Sequence, residues 1–373
     1  MRQTLKIQGY YDPRFEAVAK EFRALWQDIE IGAALHITLD GERVVDLWGG
    51  FQDPNNLKPW RPETLVNVYS TTKGILALAV AQLVDRGLLD YNRPVSHYWP
   101  EFGAEQKFDI TLDQLVSHQA GLIDCRPAIK VTDLYNWQKI TTKLAAQRPL
   151  WRPGTAFGYH AITWGYLVGE VIRRVTGESP GGYLRQQVSG PLKADVFVGL
   201  EKSDLIRCAT LIGPNRARKP LATKELTNRA GLKSSDPVIT PYKDACSEAF
   251  RRAEIPATNG HASAKGLARC YAAALDGSIF NAEILTVSTT ELTQGQEDLV
   301  LGKPIRRARG LILNCDACYF GPSHRAFGHS GTGGSIAFAD PENGVGFAYV
   351  MNQLHVDGSV RSRRLIDSFY QCL

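Results

Sequence analysis

The spacing of apolar residues predicts a helix near the start of the chain and a β-hairpin directly after it. In residues 12–28 (DPRFEAVAKEFRALWQD), large apolar side chains recur every three or four positions, which is the period of one helix face. Residues 32–50 read GAALHITLDGERVVDLWGG, two strand-like runs separated by Asp-Gly. We therefore expect a hairpin turn at Asp40–Gly41.

A second helix is predicted from Ser70 to about Asp85, with its end near Gly87. Its side chains are apolar almost all round, and Ile75–Ala81 is the longest apolar run of the chain. A helix without a polar face is typical of the centre of a protein.

The pattern changes twice along the remaining chain. From about residue 90 to residue 270 it is mostly helical, and residues 201–258 are polar and irregular. From about residue 310 strand patterns return, with a clear hairpin turn at 341–344 (PENG), and the last fifteen residues predict a closing helix.

Because strands cluster at both ends and helices in the middle, the chain predicts an α+β fold. Its antiparallel sheet is built from both termini and flanked by helices. We expect two domains: a discontinuous sheet domain of residues 1–90 plus 271–373, and a mostly helical domain of residues 91–270. The active site is expected between them.

Composition and charge exclude several classes of protein. The 373 residues are 44% hydrophobic and 22% charged, as in globular domains, and the net charge of +5 is mild. The basic clusters Arg216–Lys219, Arg306–Arg309 and Arg361–Arg364 are short, so we interpret them as solvated surface and expect no nucleic-acid partner. No apolar run reaches membrane-spanning length and no export signal is visible, which predicts a cytoplasmic protein. Oligomeric state stays open.

The seven cysteines are scattered and odd in number, which argues against a disulfide framework. Cys315 and Cys318 form one CxxC motif, without a second pair for zinc and without the strand-to-helix context of a redox motif. We expect free thiols in or beside a strand, and neither a metal nor a cofactor.

The first candidate chemistry is the pair Ser70 and Lys73 in VNVYSTTKGILAL. Positions i and i+3 share a helix face, so the amine can reach the hydroxyl. The helix N-terminus favours an oxyanion, and apolar surroundings lower the pKa of a lysine towards that of a base. A helix cap followed by a solvated lysine fits the same four residues. On this motif alone both interpretations stay open.

A second serine matches a better-known pattern. Gly177–Gly181 (GESPG) satisfies G-x-S-x-G, a nucleophile motif that requires a strand before the serine. Here a helical pattern precedes it. Ser179 is therefore predicted to cap the next helix, with Pro180 as its first residue.

Two further segments carry candidate groups. In residues 151–165 (WRPGTAFGYHAITWG), Pro153–Gly154 predicts a turn and Tyr159 is expected to open a helical run. A phenol shuttles protons only if its pKa falls from about 10, as an adjacent ammonium would cause; ordinary packing is the alternative. In residues 327–340 (FGHSGTGGSIAFAD), glycines allow close approach of a ligand, and a strand edge can donate to an oxyanion. A plain glycine-rich turn is the alternative there, and the spacing excludes a dinucleotide fingerprint.

In this order, S-x-x-K, the tyrosine motif and the His-Ser-Gly strand resemble the serine β-lactamase and penicillin-binding-protein superfamily. The nearest branch is the class C-like esterases called family VIII carboxylesterases. Four segments resemble family signatures: LDQLVSHQAGL (112–122), WRPGTAFGYH (151–160), PATNGHASAKGLARCYAAAL (256–275) and FGHSGTGGS (327–335). The resemblance runs from about residue 30 to residue 355, except for the polar stretch 201–250.

The resemblance implies a β-lactamase/transpeptidase-like fold and a role for each matching residue. Ser70 would be the acylated nucleophile, and Lys73 would assist its deprotonation. Tyr159 would act as partner base and acid, kept partly ionised by Lys73. The backbone N–H groups of Ser70 and Thr332 would bind the oxyanion. The residues expected to line the substrate site are His329, Ser330, Gly331 and Trp151.

Two departures from the lactamase pattern bear on the substrate. The Y-x-N motif appears as Tyr159–His160–Ala161, and the K-T-G motif appears as His329–Ser330–Gly331. A histidine is mostly neutral at pH 7, so the fixed cation for a substrate carboxylate is missing. The implied function is therefore a serine hydrolase that cleaves small-molecule carboxylic esters through an acyl-enzyme. The alternatives are a β-lactamase or acyltransferase using the same residues, or a catalytically silent scaffold.

Overall fold

A seven-stranded antiparallel sheet lies at the centre of the computed structural model, which describes residues 7–28, 30–55, 57–214, 232–355 and 359–373. The strands are β1 (Gln8–Tyr11), β2 (Gly32–Leu39), β3 (Glu42–Gly50), β4 (Val66–Asn67), β5 (Val196–Phe197), β6 (His261–Ala262), β7 (Glu297–Asp298), β8 (Lys303–Pro304), β9 (Ile312–Leu313), β10 (Phe327–Ser330), β11 (Ile336–Asp340) and β12 (Val345–Met351). The helices are α1 (Glu16–Asp28), α2 (Thr71–Asp85), α3 (Val95–Tyr98), α4 (Leu112–Val116), α5 (Trp137–Ala146), α6 (Thr163–Thr176), α7 (Pro180–Tyr183), α8 (Glu248–Arg252), α9 (Ala264–Leu275), α10 (Ala282–Ser288) and α11 (Ser359–Tyr370).

The sheet joins the two ends of the chain. Its strand order is β1-β3-β2-β12-β11-β10-β9, and the two halves meet where β2 pairs with β12. In this central position Gly32–Thr38 is continuously buried, which explains why β2 has an apolar run rather than strict alternation. The predicted antiparallel sheet from both termini is confirmed.

Local turn chemistry fixes both predicted hairpins. Asp40 and Gly41 have φ angles of 49° and 81°, which allow the two-residue turn between β2 and β3. The turn between β11 and β12 occupies residues 341–344 and ends on Gly344 with φ 64°. The helix at the end of the chain is also confirmed.

Helix α2 is buried from Thr71 to Leu83, as its apolar sequence predicts. Gly74 lets this helix approach β10 closely. A Cβ atom there would lie 2.1 Å from the Tyr271 hydroxyl oxygen and 3.2 Å from Cβ of His329. Only a residue without a side chain fits this contact, which brings the start of α2 next to the end of β10.

The sheet is covered by α9, which packs on β2, β11 and β12. The predicted domain boundary between residues 270 and 271 falls inside this helix. The division into two domains stays a prediction. Within the described ranges, no helix has both the length and the apolar character needed to cross a bilayer.

The G-x-S-x-G serine is a helix cap, as predicted. Helix α6 ends at Thr176 with Gly177 in the left-handed conformation (φ 75°). The Gly182 N–H donates to Ser179 Oγ at 3.1 Å, and Pro180 is the first residue of α7. Ser179 therefore follows a helix, not a strand, and its hydroxyl accepts a backbone N–H of the next helix.

The interpretation of the basic clusters as solvated surface is wrong for two of them. Arg307 is 2% exposed and Arg361 is 4% exposed, and each pairs with a buried carboxylate. Arg306 and Arg309 are partly buried and also form ion pairs. The third cluster, 216–219, lies outside the described residues. A short run of arginines looks the same in sequence whether its side chains are exposed to water or buried in ion pairs with carboxylates.

The buried ion pair of Arg361 gives a first prediction, on stability. Arg361 Nη1 donates to Glu30 at 2.6 Å, and Nη2 donates to the carbonyls of Gly333 and Gln353, both at 2.9 Å. Burial raises the pKa of Glu30. Arg361→Met leaves this carboxyl buried without its cation, so we expect the free energy of unfolding to fall by about 3–5 kcal/mol.

Urea denaturation of matched variants measures this loss. The control is Arg363→Met on the same helix, because Arg363 is exposed and lies 3.9 Å from Asp367. It should cost less than about 1 kcal/mol. Equal losses in the two variants would contradict the structural role of the Glu30–Arg361 pair.

Candidate active site

Ser70 lies at the start of α2, but its side chain does not cap the helix. Its hydroxyl makes no cap hydrogen bond within the described ranges. The preceding Tyr69 has φ 44°, a left-handed conformation that is rare for a bulky residue and is held by a hydrogen bond from its N–H to Asn67 Oδ1 (3.1 Å). The interpretation of Ser70 as an ordinary cap is therefore wrong.

Lys73 is fully buried, so it is not the solvated lysine of that same interpretation. Its Nζ lies 3.4 Å from Ser70 Oγ and donates to the carbonyls of Ala161 (2.8 Å) and Ala257 (2.9 Å). Burial lowers the pKa of Lys73 well below its usual range, and the positive charge of Arg307 lowers it further. The predicted shift of this lysine towards a base is confirmed in direction.

Tyr159 completes a triangle around the serine. Its hydroxyl donates to Ser70 Oγ at 2.7 Å. The expectation that Tyr159 opens a helix is wrong, because α6 begins only at Thr163. Backbone groups before Thr163 form hydrogen bonds with side chains instead of helical ones: the Tyr159 N–H donates to Asp298, and the Ala161 carbonyl accepts from Lys73.

The expectation that Lys73 keeps Tyr159 partly ionised is also wrong. Burial raises the pKa of Tyr159 to about 12, against the opposing effects of the Ser70 hydrogen bond and the Arg307 charge. Lys73 Nζ lies 4.8 Å from the centre of the phenol ring. Because burial favours the neutral amine, it offers the ring little positive charge. Burial thus shifts both groups towards their uncharged forms, lowering the pKa of Lys73 and raising that of Tyr159.

The glycine-rich turn after β10 is fixed against the segment that precedes Ser70. A Cβ on Gly331 would lie 2.2 Å from the Val68 carbonyl oxygen, and Ser335 Oγ donates to the same oxygen at 2.9 Å. Among the residues that the structure describes, the amide N–H groups of Ser70 and Thr332 donate no hydrogen bond. Both are thus available to a ligand, and their joint action on an oxyanion stays a prediction.

The other predicted lining residues surround Tyr159 at longer range. His329 is buried, its ring centre is 6.4 Å from that of Tyr159, and its Nδ1 lies 2.7 Å from the Ser330 carbonyl oxygen. Burial lowers the pKa of His329 well below its usual range, so the ring is neutral. Ser330 Oγ contacts Cys318 Sγ at 3.3 Å. Trp151 is half-buried and its ring lies 6.1 Å from that of His160.

Sequence analysis missed three groups of this site. His118 Nδ1 accepts the N–H of His160 at 3.1 Å, and Asp298 accepts the N–H of Tyr159 at 3.0 Å. Arg307 pairs with Asp298 at 2.9 Å. The signature 112–122 contains His118 and could have indicated it. Nothing in the sequence distinguishes Arg307 from its neighbours in the basic cluster.

A known protein family matches the part of the sequence that forms this serine, amine and phenol site. The family model described as Beta-lactamase matches residues 18–369. The chain belongs to the beta-lactamase family.

Two solved structures and one further sequence relative each match at least 94% of this chain. A penicillin-binding-protein homologue from Caulobacter crescentus has 39% identity and a TM-score of 0.88, covering 99% of this chain and 100% of that one. A family VIII carboxylesterase has 40% identity and a TM-score of 0.87 at the same coverage. The esterase/beta-lactamase LipL of Mycobacterium tuberculosis is 35% identical over 94% of this chain and 83% of its own length. The predicted β-lactamase/transpeptidase-like fold and the resemblance to family VIII carboxylesterases are confirmed.

Proposed function

We propose that this member of the beta-lactamase family is a serine hydrolase that cleaves small-molecule carboxylic esters through an acyl-enzyme on Ser70. The observation that carries the proposal is the position of Ser70 Oγ, 2.7 Å from the Tyr159 hydroxyl and 3.4 Å from Lys73 Nζ. The similarity to a family VIII carboxylesterase at 40% identity supports the ester substrate.

Lys73 is the base of the first step. A neutral amine has two N–H groups and one lone pair, and the carbonyls of Ala161 and Ala257 accept the two N–H groups. In this neutral form of Lys73 the lone pair faces Ser70 Oγ, 3.4 Å away. As Oγ forms its bond to the ester carbon, Lys73 takes the serine proton, and the carbonyl electrons move onto oxygen. The N–H groups of Ser70 and Thr332 stabilise that oxyanion.

Tyr159 is the acid of the second step. It is protonated at rest and already donates to Ser70 Oγ, so its proton is close to the departing alcohol. When the carbon–oxygen bond breaks, Tyr159 protonates the alkoxide and regains a proton from the Lys73 ammonium. Water then hydrolyses the acyl-enzyme and releases the acid.

The alternatives have less support in the site. A β-lactam substrate would need groups that hold its amide side chain and carboxylate. Both ring nitrogens of His160 are engaged, because Nε2 accepts the Leu122 N–H (2.9 Å) and Nδ1 lies 2.6 Å from the Gly158 carbonyl oxygen. His329 is neutral. A silent scaffold does not require the serine, amine and phenol in contact. The cytoplasmic location stays a prediction.

The test combines turnover and labelling. The native protein should hydrolyse p-nitrophenyl butyrate, and an alkyl fluorophosphonate should label one peptide, the one containing Ser70, as located by mass spectrometry. Absence of both turnover and label would contradict the proposal.

The pH dependence of kcat/KM is a further prediction. Protonation of Lys73 removes the base, so activity should fall at acidic pH and rise as pH increases through the lowered pKa of Lys73, well before the ordinary lysine range. Tyr159 stays protonated until about pH 12, so no alkaline decline is expected up to about pH 10. Initial rates on ethyl butyrate, with product quantified after quenching, give the profile. A rate that rises only near pH 10 would contradict the neutral lysine.

A further inference from the structure

A buried ion pair next to Tyr159 takes no part in the steps described so far. Asp298 is 0% exposed and Arg307 is 2% exposed, and Arg307 Nη2 donates to Asp298 Oδ2 at 2.9 Å. The other carboxylate oxygen, Oδ1, accepts the N–H groups of Tyr159 (3.0 Å), Val300 (2.9 Å) and Leu301 (3.0 Å). The pair is thus anchored to the backbone of the proposed acid.

The guanidinium faces the phenol ring of Tyr159. Its central carbon lies 5.1 Å from the ring centre, within the range of a cation–π contact. The backbone around it is fixed, since the Arg307 N–H donates to Thr293 Oγ1 (3.0 Å) and the Leu292 N–H donates to the Arg307 carbonyl (2.8 Å). Arg307 Nε has no hydrogen-bond partner among the described residues. An apolar pair of similar volume would often be more stable than a buried ion pair, so stability alone is a weak reason for this charge.

We propose that Arg307, held by Asp298, is a positioning residue that fixes a positive charge against the Tyr159 ring, where it favours the phenolate formed during leaving-group protonation and disfavours protonation of Lys73. This inference rests on the proposed function. Arg307, in the segment after β8, thereby provides a fixed positive charge that the neutral His329 on β10 does not provide.

The other groups around Tyr159 and Lys73 do not supply this charge. Burial lowers the pKa of both His118 and His329 well below the usual range, so both rings are neutral. Burial raises the pKa of Cys318 to about 11, and Asp298 is an anion that raises the pKa of Tyr159. Asp236, whose pKa burial raises to about 7, acts on Lys73 in the opposite direction to Arg307. His160 also interacts with Lys73 and Arg307, and burial lowers its pKa to about 4, so this ring is neutral as well.

The experiment compares Arg307→Met with the native protein on two butyrate esters. Ethanol leaves only with a proton, whereas p-nitrophenolate leaves without one. We expect kcat/KM for ethyl butyrate to fall by about 100-fold, that for p-nitrophenyl butyrate to fall by about tenfold or less, and KM to change little. The acid limb of the pH profile should move up by about one pH unit as Lys73 becomes more basic. Arg307→Lys, which keeps the charge, should recover most of the ethyl butyrate activity.

Arg309→Met is the matched control. Arg309 also pairs with a carboxylate, Asp113, at 2.6 Å and also lies over a phenol ring, that of Tyr91, at 4.9 Å. Its loss should lower stability without moving the pH profile or the ratio of the two esters. If Arg307→Met does not fold, Arg307→Gln removes the same charge while keeping a donor for Asp298.

Equal losses on the two esters with an unmoved acid limb, in a folded charge-free variant, would overturn the role of Arg307. A native protein that neither cleaves an ester nor labels at Ser70 would overturn the proposed function, and this inference with it. The two failures are distinguishable because the second is seen before any variant is made.

Discussion

Replacing Ser70 by alanine is expected to lower kcat for p-nitrophenyl butyrate by at least about 10³-fold, to near the uncatalysed rate. The physical reason is the loss of an atom that both Lys73 and Tyr159 approach: Oγ lies 3.4 Å from the amine and 2.7 Å from the phenol. The structure should survive, because this hydroxyl does not cap α2. Side-by-side initial rates, with urea unfolding as a folding check, measure the effect.

The control for this variant is Ser179→Ala. Ser179 caps α7 and donates to Glu254 Oε1 at 2.6 Å, so its loss should cost about 1 kcal/mol of stability and leave turnover unchanged. Full activity in Ser70→Ala together with loss in Ser179→Ala would move the chemistry to the G-x-S-x-G motif and refute the proposed site.

Lys73→Met is expected to lower kcat by about 10²–10⁴-fold, because it removes the base and keeps an apolar chain of similar length. The cost in stability should be smaller than for a buried charge. Burial shifts Lys73 towards its neutral form, and the substitution removes the two hydrogen bonds that its Nζ donates to the carbonyls of Ala161 and Ala257. We expect the free energy of unfolding to fall by about 1–3 kcal/mol. Rates on both butyrate esters and urea unfolding measure the two effects separately.

A second buried lysine provides the matched control. Lys107 is also 0% exposed, and its Nζ donates to three carbonyls, those of Ala104 (2.8 Å), Ala145 (2.9 Å) and Gln147 (2.6 Å). Lys107→Met should destabilise the protein at least as much as Lys73→Met while retaining native kcat. If Lys73→Met kept native turnover, Lys73 would be structural only and the base would have to be sought elsewhere.

The uncharged forms of Lys73 and Tyr159, which burial favours, suit the two proton transfers of the proposed reaction. An unprotonated Lys73 can accept a proton at once, and a protonated Tyr159 can donate one at once. A lysine ammonium beside a phenolate would carry the same total charge but would exchange the roles of base and acid. Burial favours the uncharged arrangement, because desolvation disfavours both charged forms.

Much of the fold follows from local sequence. The turn at Asp40–Gly41 requires left-handed φ angles that this dipeptide adopts readily, and the cap at Ser179 depends on neighbours within three residues. The i, i+3 spacing placed Lys73 beside Ser70 for the same reason, because a helix converts sequence distance directly into contact. Where geometry is set within one turn, the residues themselves are enough to predict it.

Tertiary structure alone decided which charges the site contains. Glu30 and Arg361 meet across 331 positions of sequence, and Asp298 reaches the backbone of Tyr159 across 139. No pattern in the neighbouring sequence predicts either contact. The arginine clusters interpreted as solvated surface therefore contain buried cations. The protonation of Tyr159 was predicted with the wrong sign for the same reason. The sequence by itself determined which groups meet at Ser70. Burial by distant elements determined the pKa values of those groups, because desolvation depends on every residue that excludes water and not only on the neighbours along the chain.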